Sequence, residues 1–225
     1  MKIRSKFAKE EPVRFISHLD LARTIERAVR RAQLPIAYSL GFNPRAKIAF
    51  GSALAVGVTS SAEYVDMELT SDIPVEDFIK VLNTHVPAGI EFTAAVEISP
   101  EVPTLMSVID RASYVLTGDL EHSENLGPAV QNILDSEAIW VERSGKKGTR
   151  TLDIRPWIFA LDVLSTDFEI SGVSLLAQTG NHGNVRPEEV ATHLPFDQGS
   201  LRIHRSGLFI ARGSDLISPL EVAHC

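Results

Sequence analysis

Cysteine is nearly absent from this chain: among 225 residues the only one is Cys225, the last residue. A single thiol excludes an internal disulfide, a zinc site built from several thiolates, and the closely spaced cysteines of an iron–sulfur cluster. A cysteine at the chain end is also a poor nucleophile, because nothing is expected to hold a base against it. We therefore expect no cofactor.

Long apolar runs are missing as well, so no transmembrane helix is expected. The first residues, MKIRSKFAKEEP, lack the apolar core of a secretion signal. The seven histidines form no H-x-H or H-x-x-x-H pair, and we expect no metal site. With 44% hydrophobic and 23% charged residues, the composition is that of a folded, soluble protein. These absences together predict a cytoplasmic protein with no membrane partner.

Charge is distributed very unevenly. Residues 1–50 contain eleven Lys and Arg against four acids, a balance of +7. The whole chain carries 22 basic and 29 acidic residues, which leaves 11 against 25, or −14, for residues 51–225. A basic block in an acidic protein predicts a polyanionic or acidic partner for the first fifty residues.

The first hundred residues predict the order β-α-β-β-α-β. Residues 2–8 alternate like a strand, and Ser17 stands three residues before Asp20, as at the capped start of a helix. Pro35 ends that helix. Strands near 36–50, 64–69 and 90–98 and a helix over 75–85 complete a ferredoxin-like pattern.

The second half predicts a repeat of that order. It has strands near 113–118, 139–143, 149–154, 169–176 and 201–210, with helices over 126–137 and from Pro187. We therefore predict an α+β protein made of two tandem ferredoxin-like (βαββαβ) domains, which suggests a duplication. The predicted segments are a basic domain 1–98, a connector 99–111, an acidic domain 112–212 and a loose tail 213–225.

Four arginines of the first predicted helix lie within about 100° of one another on a helical wheel, opposite the apolar stripe. We call them the arginine row: Arg23, Arg27, Arg30 and Arg31. Arginine binds phosphate through a bidentate fork, so a row at helical pitch is suited to a nucleic-acid backbone. The alternative is a solvated helix face with ion pairs Asp20–Arg23 and Glu26–Arg30.

The segment Tyr38–Lys47, YSLGFNPRAK, combines aromatics, cations and a glycine turn. Such a loop is suited to stacking an unpaired base while holding its phosphate, or else Phe42 only anchors the turn. Beside the arginine row we favour nucleic-acid binding. The predicted binding residues of this half are Arg14, the arginine row, Phe42, Asn43 and Arg45.

A second basic cluster interrupts the acidic half. Its predicted nucleic-acid contacts are Lys146, Lys147, Arg150 and Arg155, in a hairpin tip that is equally readable as an ordinary exposed turn. The glycines do not form a phosphate-binding G-x-x-x-x-G-K-[ST] loop. Glu63, Asp66 and Glu68 belong to one predicted strand, where an exposed polar face is favoured over a Mg²⁺ or acid–base site.

The run R-F-x-S-H-L-D-L-x-R-x-x-E-R-A-x-R-R-A-x-L-P-x-A-Y-S-x-G-F-N-P, from Arg14 to Pro44, resembles a bacterial family of radical-SAM-linked proteins of unknown function. Asp153–Pro156 (D-I-R-P) and Arg186–Val190 (R-P-E-E-V) match it too. The resemblance implies a companion of a radical SAM enzyme acting on RNA. The iron–sulfur cluster would then belong to that partner.

Three functions are expected from these features. The favoured one is an accessory RNA-binding protein that presents tRNA or rRNA to the radical SAM partner. The second is a metal-independent endoribonuclease or RNA-modifying enzyme, by fold analogy with CRISPR repeat-processing endoribonucleases, with His18, Tyr38 and Lys47 as catalytic candidates. A structural role for His18 is the favoured alternative to that. The third is a protein-interaction module that docks on the radical SAM enzyme.

Overall fold

The computed structural model describes residues 1–120, 126–145, 148–164 and 171–224. The chain divides into two compact units, one made of Met1–Asp110 and Gly207–Cys225, the other of Arg111–Ser206. Both contain strands and short helices, so the predicted α+β class is confirmed. No helix among the described residues is long and apolar enough to cross a membrane.

The first unit begins with the order expected from the sequence. Its elements are β1 (Lys2–Lys9), α1 (His18–Arg31), β2 (Ile48–Phe50), β3 (Thr59–Glu68), α2 (Val75–Asn83), β4 (Ile90–Glu97) and α3 (Leu105–Val108). Strand β1 pairs with β3 on one side and β4 on the other, and β2 pairs with the far side of β3. All three pairings are antiparallel, which gives the order β4-β1-β3-β2.

Both ends of α1 follow capping rules that the sequence displays. Ser17 Oγ accepts a hydrogen bond from the Asp20 main-chain N–H at 3.1 Å, as the predicted cap requires. At the other end Gln33 adopts a left-handed φ of 51°, while the Gln33 and Leu34 amides donate to Arg30 O and Val29 O. This pair of hydrogen bonds is a Schellman motif, and it ends the helix at Arg31, four residues before Pro35.

One face of the sheet carries the main core of this unit. Leu21, Ile25 and Val29 of α1 and Phe78 and Leu82 of α2 are buried together with side chains of β1, β3 and β4. The helices therefore bury their apolar stripes against the sheet and leave their polar faces to solvent.

The other face of the same sheet is covered by later parts of the chain. The tail, which was expected to be loose, forms strand β11 (Asp215–Ile217) against strand β10 (Arg202–Arg212) and a short 3₁₀ helix, Glu221–His224. Val222 packs with Ile98 and Val102 in a second apolar cluster. Residues 213–224 are thus an integral layer of the first unit.

A tyrosine under this layer makes the unit sensitive to alkali. Burial raises the pKa of Tyr64, whose hydroxyl lies 3.4 Å from Ser218 Oγ. Since the folded-state pKa is above the unfolded value of about 10, stability is full below pH 10 and falls as the pH rises through the folded-state value. We expect Tyr64→Phe to remove that part of the alkaline loss, measured by urea unfolding between about pH 9 and 11. An unchanged pH profile in the variant would contradict this.

The second unit contains an additional hairpin. Its elements are β5 (Arg111–Gly118), α4 (Leu126–Asp135), β6 (Trp140–Gly145), β7 (Gly148–Asp153), β8 (Ile158–Leu164), β9 (Ser171–Gln178) and α5 (Pro187–Ala191). Strand β5 pairs with β9 and β9 with β8, all antiparallel, while β6 and β7 pair only with each other among the described strands. On its other side β5 lies beside β10, whose residues up to Ser206 belong to this unit.

Strand β8 is not among the strands predicted from the sequence. Its residues, IFALDVL, are apolar at nearly every position, and a short continuous apolar run does not distinguish a strand from a buried helix. The segments predicted as strands at 139–143 and 149–154 instead form the separate hairpin β6–β7.

An ion pair connects this hairpin to α5. The side chain of Arg143 is 8% exposed, and its Nε donates to Glu189 Oε1 at 2.7 Å. Its Nη2 donates both to Glu189 Oε2 and to the main-chain oxygen of Asn184. Glu189 also accepts from the Arg186 main-chain N–H at 3.2 Å, as a capping residue at the start of α5. The R-P-E-E-V motif therefore has a structural role.

Candidate nucleic-acid interface

All four arginines of the arginine row are exposed. Leu21, Ile25, Ala28 and Val29, on the opposite side of α1, are buried. The wheel prediction is therefore correct in its geometry: the four guanidinium groups lie on the solvent side of the helix. They run from Arg23 to Arg31, along about 12 Å of regular helix.

Few acids neutralise this row. Arg23 Nη1 lies 3.4 Å from Asp20 Oδ1, with both side chains more than half exposed. Arg31 donates to the main-chain oxygen of His85 and keeps its full charge. Within the described residues Arg27 and Arg30 form no ion pair, so the expected Glu26–Arg30 pair is not formed. An exposed pair such as Asp20–Arg23 stabilises by only about 0–1 kcal/mol, so phosphate can replace it.

The loop after α1 is a hairpin, residues 37–47. The Ser39 amide donates to Arg45 O and the Lys47 amide to Ala37 O, each at 2.8 Å. Gly41 at the tip has φ of +130°, a conformation that favours glycine. On either side of it, Leu40 and Phe42 are 102% and 106% exposed. Two large apolar side chains thus stand entirely in solvent.

This hairpin starts near the end of the arginine row. Its base is held by the Ala37 amide, which donates to Glu68 O at 2.8 Å, and by Pro35 O, which accepts from Thr70. Ala37 is six residues after Arg31, so it lies within about 20 Å of it along the chain. The base of the hairpin therefore lies no more than about 20 Å from the last arginine of the row.

Arg14 and Arg155, two of the predicted binding residues, make contacts within the protein. Arg14 Nη1 lies 3.1 Å from both Glu11 carboxylate oxygens, and its guanidinium lies over the Phe15 ring at 4.4 Å. Arg155 donates to Leu134 O at 2.7 Å and Ile158 O at 3.1 Å, which connects α4 to β8. A ligand that used Arg14 Nη1 or the two Nη atoms of Arg155 would have to replace these contacts.

The remaining predicted contacts are divided between the two units. Asn43 and Arg45 are exposed in the hairpin of residues 37–47, and Arg150 is exposed on β7. Lys146 and Lys147 lie outside the described residues. Among the described residues, the first unit therefore carries more of the predicted exposed contacts than the second.

Two of the three catalytic candidates lie apart, and the third, Tyr38, is 46% exposed in the hairpin of residues 37–47. His18 begins α1, where its ring meets the Phe50 ring edge-on at 5.5 Å. Lys47 Nζ is 2.6 Å from Glu68 Oε2. Glu68 follows Met67, whose side chain is buried on the α1 side, and successive strand residues point to opposite faces. His18 and Lys47 thus lie on opposite faces of the sheet.

The acidic residues of β3 differ from the expected exposed polar face. Glu63 and Asp66 are 4% and 3% exposed, and Asp66 is paired with the fully buried Arg4. Among the described residues no group of three histidines, cysteines or acids is placed to hold a metal ion.

Leu40 was not predicted as a site residue. The signal was present in the sequence: a turn normally carries small or polar residues, whereas here glycine stands between leucine and phenylalanine. Lys9, counted in the basic block, is 1% exposed and donates to Arg14 O and Val58 O. Burial of Lys9 and Arg4 removes two cations from the surface and leaves α1 and the hairpin as its main basic features.

These features describe an α+β protein with a row of outward arginines and, later in the same unit, an apolar hairpin tip. The chain belongs to a bacterial family described as an uncharacterized protein conserved in bacteria (DUF2344), whose model matches residues 2–187. None of the curated proteins matches the chain.

Solved structures show low similarity to this chain. A Cbf5–Nop10–Gar1 complex aligns with a TM-score of 0.44 and 12% identity over 90% of this chain and 47% of that one. An archaeal box H/ACA sRNP Nop10–Cbf5 complex aligns with a TM-score of 0.43 and 10% identity, over 90% and 46%. An unknown protein from Galdieria sulphuraria reaches 0.25 with 12% identity, over 85% and 88%. The chain spans about half the length of the first two.

Proposed function

We propose that this protein is an accessory RNA-binding protein whose arginine row holds the RNA backbone. The observation that supports this most directly is the exposure of four arginines on one helix face with a single flanking acid paired to them. Planar guanidinium groups bind phosphate in pairs of hydrogen bonds, and each neutralised phosphate releases counterions. The RNA classes we expect are tRNA or rRNA.

The affinity should depend strongly on salt. We expect the wild type to bind total tRNA in fluorescence anisotropy, with an affinity that falls as salt rises. Replacing the whole arginine row by alanine should weaken binding by at least about tenfold at low salt and flatten the slope of log affinity against log salt by about 2 to 3.

The matched control removes equal charge from other places. It carries four alanines at exposed positions outside α1 and the hairpin: Lys80, Arg186, Arg202 and Arg212. We expect this variant to keep most of the affinity, because the contacts depend on the row and not on net charge alone. Equal losses in both variants, or no RNA binding by the wild type, would contradict the proposed function.

We further propose that the partner is a radical SAM enzyme, on the basis of the sequence resemblance between Arg14 and Pro44. The iron–sulfur cluster would belong to that enzyme. Co-purification that survives nuclease treatment in the wild type but fails in the arginine-row variant would instead indicate that the row is a protein-docking surface. RNA-dependent co-purification would support the accessory role.

We infer as well that both units are ferredoxin-like. In the first the strand order is β4-β1-β3-β2, and in the second β10-β5-β9-β8. Numbered within each unit and without the hairpin β6–β7, both orders are 4-1-3-2, with helices after the first and third strands. The hairpin would then be an insertion between α4 and β8.

A further inference from the structure

The tip of the hairpin of residues 37–47 carries large apolar side chains, for which phosphate binding by the arginine row gives no reason. Leu40 and Phe42 are both more than 100% exposed, so neither packs against its own unit. Leaving such side chains in water forgoes about 1.5–3 kcal/mol of burial each. A short hairpin with apolar residues on both sides of a glycine is therefore built to contact something else.

The surroundings of the tip favour RNA bases as that contact. Arg45 is exposed on the return strand of the hairpin, where its main chain pairs with Ser39. The Asn43 side chain is exposed and has no hydrogen-bond partner within the described part of the chain. A cation for the phosphate, an amide for a base edge and an aromatic ring for the base plane are the groups that bind unpaired nucleotides.

Continuous duplex RNA cannot use this tip. Its bases are stacked and paired, its major groove is deep and narrow, and its wide minor groove presents sugars and base edges but no base planes. The arginine row, by contrast, meets only phosphates and accepts duplex or single strand alike. The two features therefore differ in what they recognise.

We propose that Leu40 and Phe42 contact unpaired bases, so that the protein selects RNA with a loop or single-stranded segment over continuous duplex. This rests on the proposed function, because the row supplies the backbone contact that brings the tip to the RNA. Tyr38, 46% exposed in the same hairpin, provides a second aromatic surface for a neighbouring base.

The test compares three labelled RNAs with the same total number of nucleotides, and hence about the same number of phosphates: a perfect duplex, a stem–loop and an unstructured strand. We expect the wild type to bind the stem–loop and the strand more tightly than the duplex. The double variant Leu40→Ala/Phe42→Ala should lose about tenfold or more on those two RNAs and little on the duplex. Its salt slope should stay unchanged, since no charge is removed.

Two controls separate base contact from other effects. Phe42→Trp keeps an aromatic plane and should keep loop preference, whereas Val163→Ala removes an exposed apolar side chain from the second unit and should change nothing. A 2-aminopurine in the loop should change fluorescence on binding to the wild type and to Phe42→Trp, but not to the double-alanine variant. Both substituted tip residues are fully exposed, so folding should be unaffected.

The outcomes distinguish this proposal from the one it rests on. If the arginine row is needed for binding but the wild type shows no loop preference, or the double variant weakens all three RNAs equally, the tip does not contact bases. If the double variant binds every RNA normally but loses a protein partner in nuclease-treated extract, the tip is a protein contact. If the wild type binds none of the RNAs, the proposed function itself fails.

Discussion

Replacing Asp66 by asparagine is expected to lower the free energy of unfolding by about 3–5 kcal/mol. Asp66 accepts from Arg4 Nε at 2.7 Å and from Nη2 at 2.9 Å. The Arg4 side chain is 0% exposed, so the substitution leaves a buried charge without its counter-ion. The neutral amide also presents a donor where a second acceptor is required, which breaks the two-point contact.

Asp66→Asn should also loosen residues 213–224, the layer that covers this face of the sheet. Arg4 Nη1 also donates to Pro219 O at 3.2 Å and Nη2 to Pro103 O at 3.1 Å. One buried guanidinium therefore joins β1 to β3, to the segment after β4 and to the tail. We expect hydrogen exchange in residues 213–224 to accelerate in Asp66→Asn more than exchange in α1.

Urea unfolding monitored by circular dichroism measures the effect. Asp72→Asn is the matched control, because the Asp72 side chain is 91% exposed, 4.0 Å from the N-terminal amine, and should change stability by less than about 0.5 kcal/mol. The double variant Arg4→Met/Asp66→Leu should recover much of the loss, because it removes both buried charges. A loss below about 1 kcal/mol in Asp66→Asn would show that the buried pair has little influence on stability.

Replacing Glu189 by glutamine should cost about 2–3 kcal/mol, less than Asp66→Asn because the Glu189 side chain is 15% exposed. Arg143 would keep its hydrogen bond to Asn184 O but lose the carboxylate that neutralises it. Since Arg143 belongs to β6 and Glu189 to α5, the loss falls on the attachment of the hairpin β6–β7. Arg150 lies on this hairpin. The RNA affinity of Glu189→Gln therefore also tests the predicted role of Arg150 in RNA binding.

Glu188→Gln is the matched control for this variant. Glu188 is the preceding residue in the same first turn of α5, so the helix-dipole contribution is nearly the same and only the pair differs. We expect Glu189→Gln to lower the unfolding midpoint and speed hydrogen exchange in β6 and β7, and Glu188→Gln to leave both nearly unchanged. Similar effects from the two substitutions would mean that general charge at the helix start, and not the pair with Arg143, is responsible.

Local features of the candidate interface were predictable from the sequence. Ser17 caps α1, and the apolar spacing from Leu21 to Val29 places the arginine row outward, because both depend on residues within one or two helical turns. The turn at Gly41 was equally visible. Local stereochemistry determines the helix cap, the outward helix face and the turn, whatever the position of the rest of the chain.

Features that depend on distant pairing were not predictable. Asp66 stands between apolar residues as in an exposed strand face, but here later segments, which include Pro103 and Pro219, cover that face and bury its carboxylate. Lys9 and Arg4 count as basic in any tally of charge, yet their partners come from elsewhere in the fold. A strand pattern indicates which residues share a face, and not what that face packs against.

By itself, then, the sequence determined the α+β class, the outward arginine row and the glycine turn between Tyr38 and Lys47. Only the tertiary structure decided that Arg4 and Lys9 are buried whereas the cations of α1 and the hairpin stay exposed, and that His18 and Lys47 are separated by the sheet. The physical reason is the sequence separation over which each feature is determined. Helix phase and turn conformation depend on neighbours in the chain, whereas burial and ion pairing depend on segments up to about two hundred residues apart, such as Arg4 and Pro219.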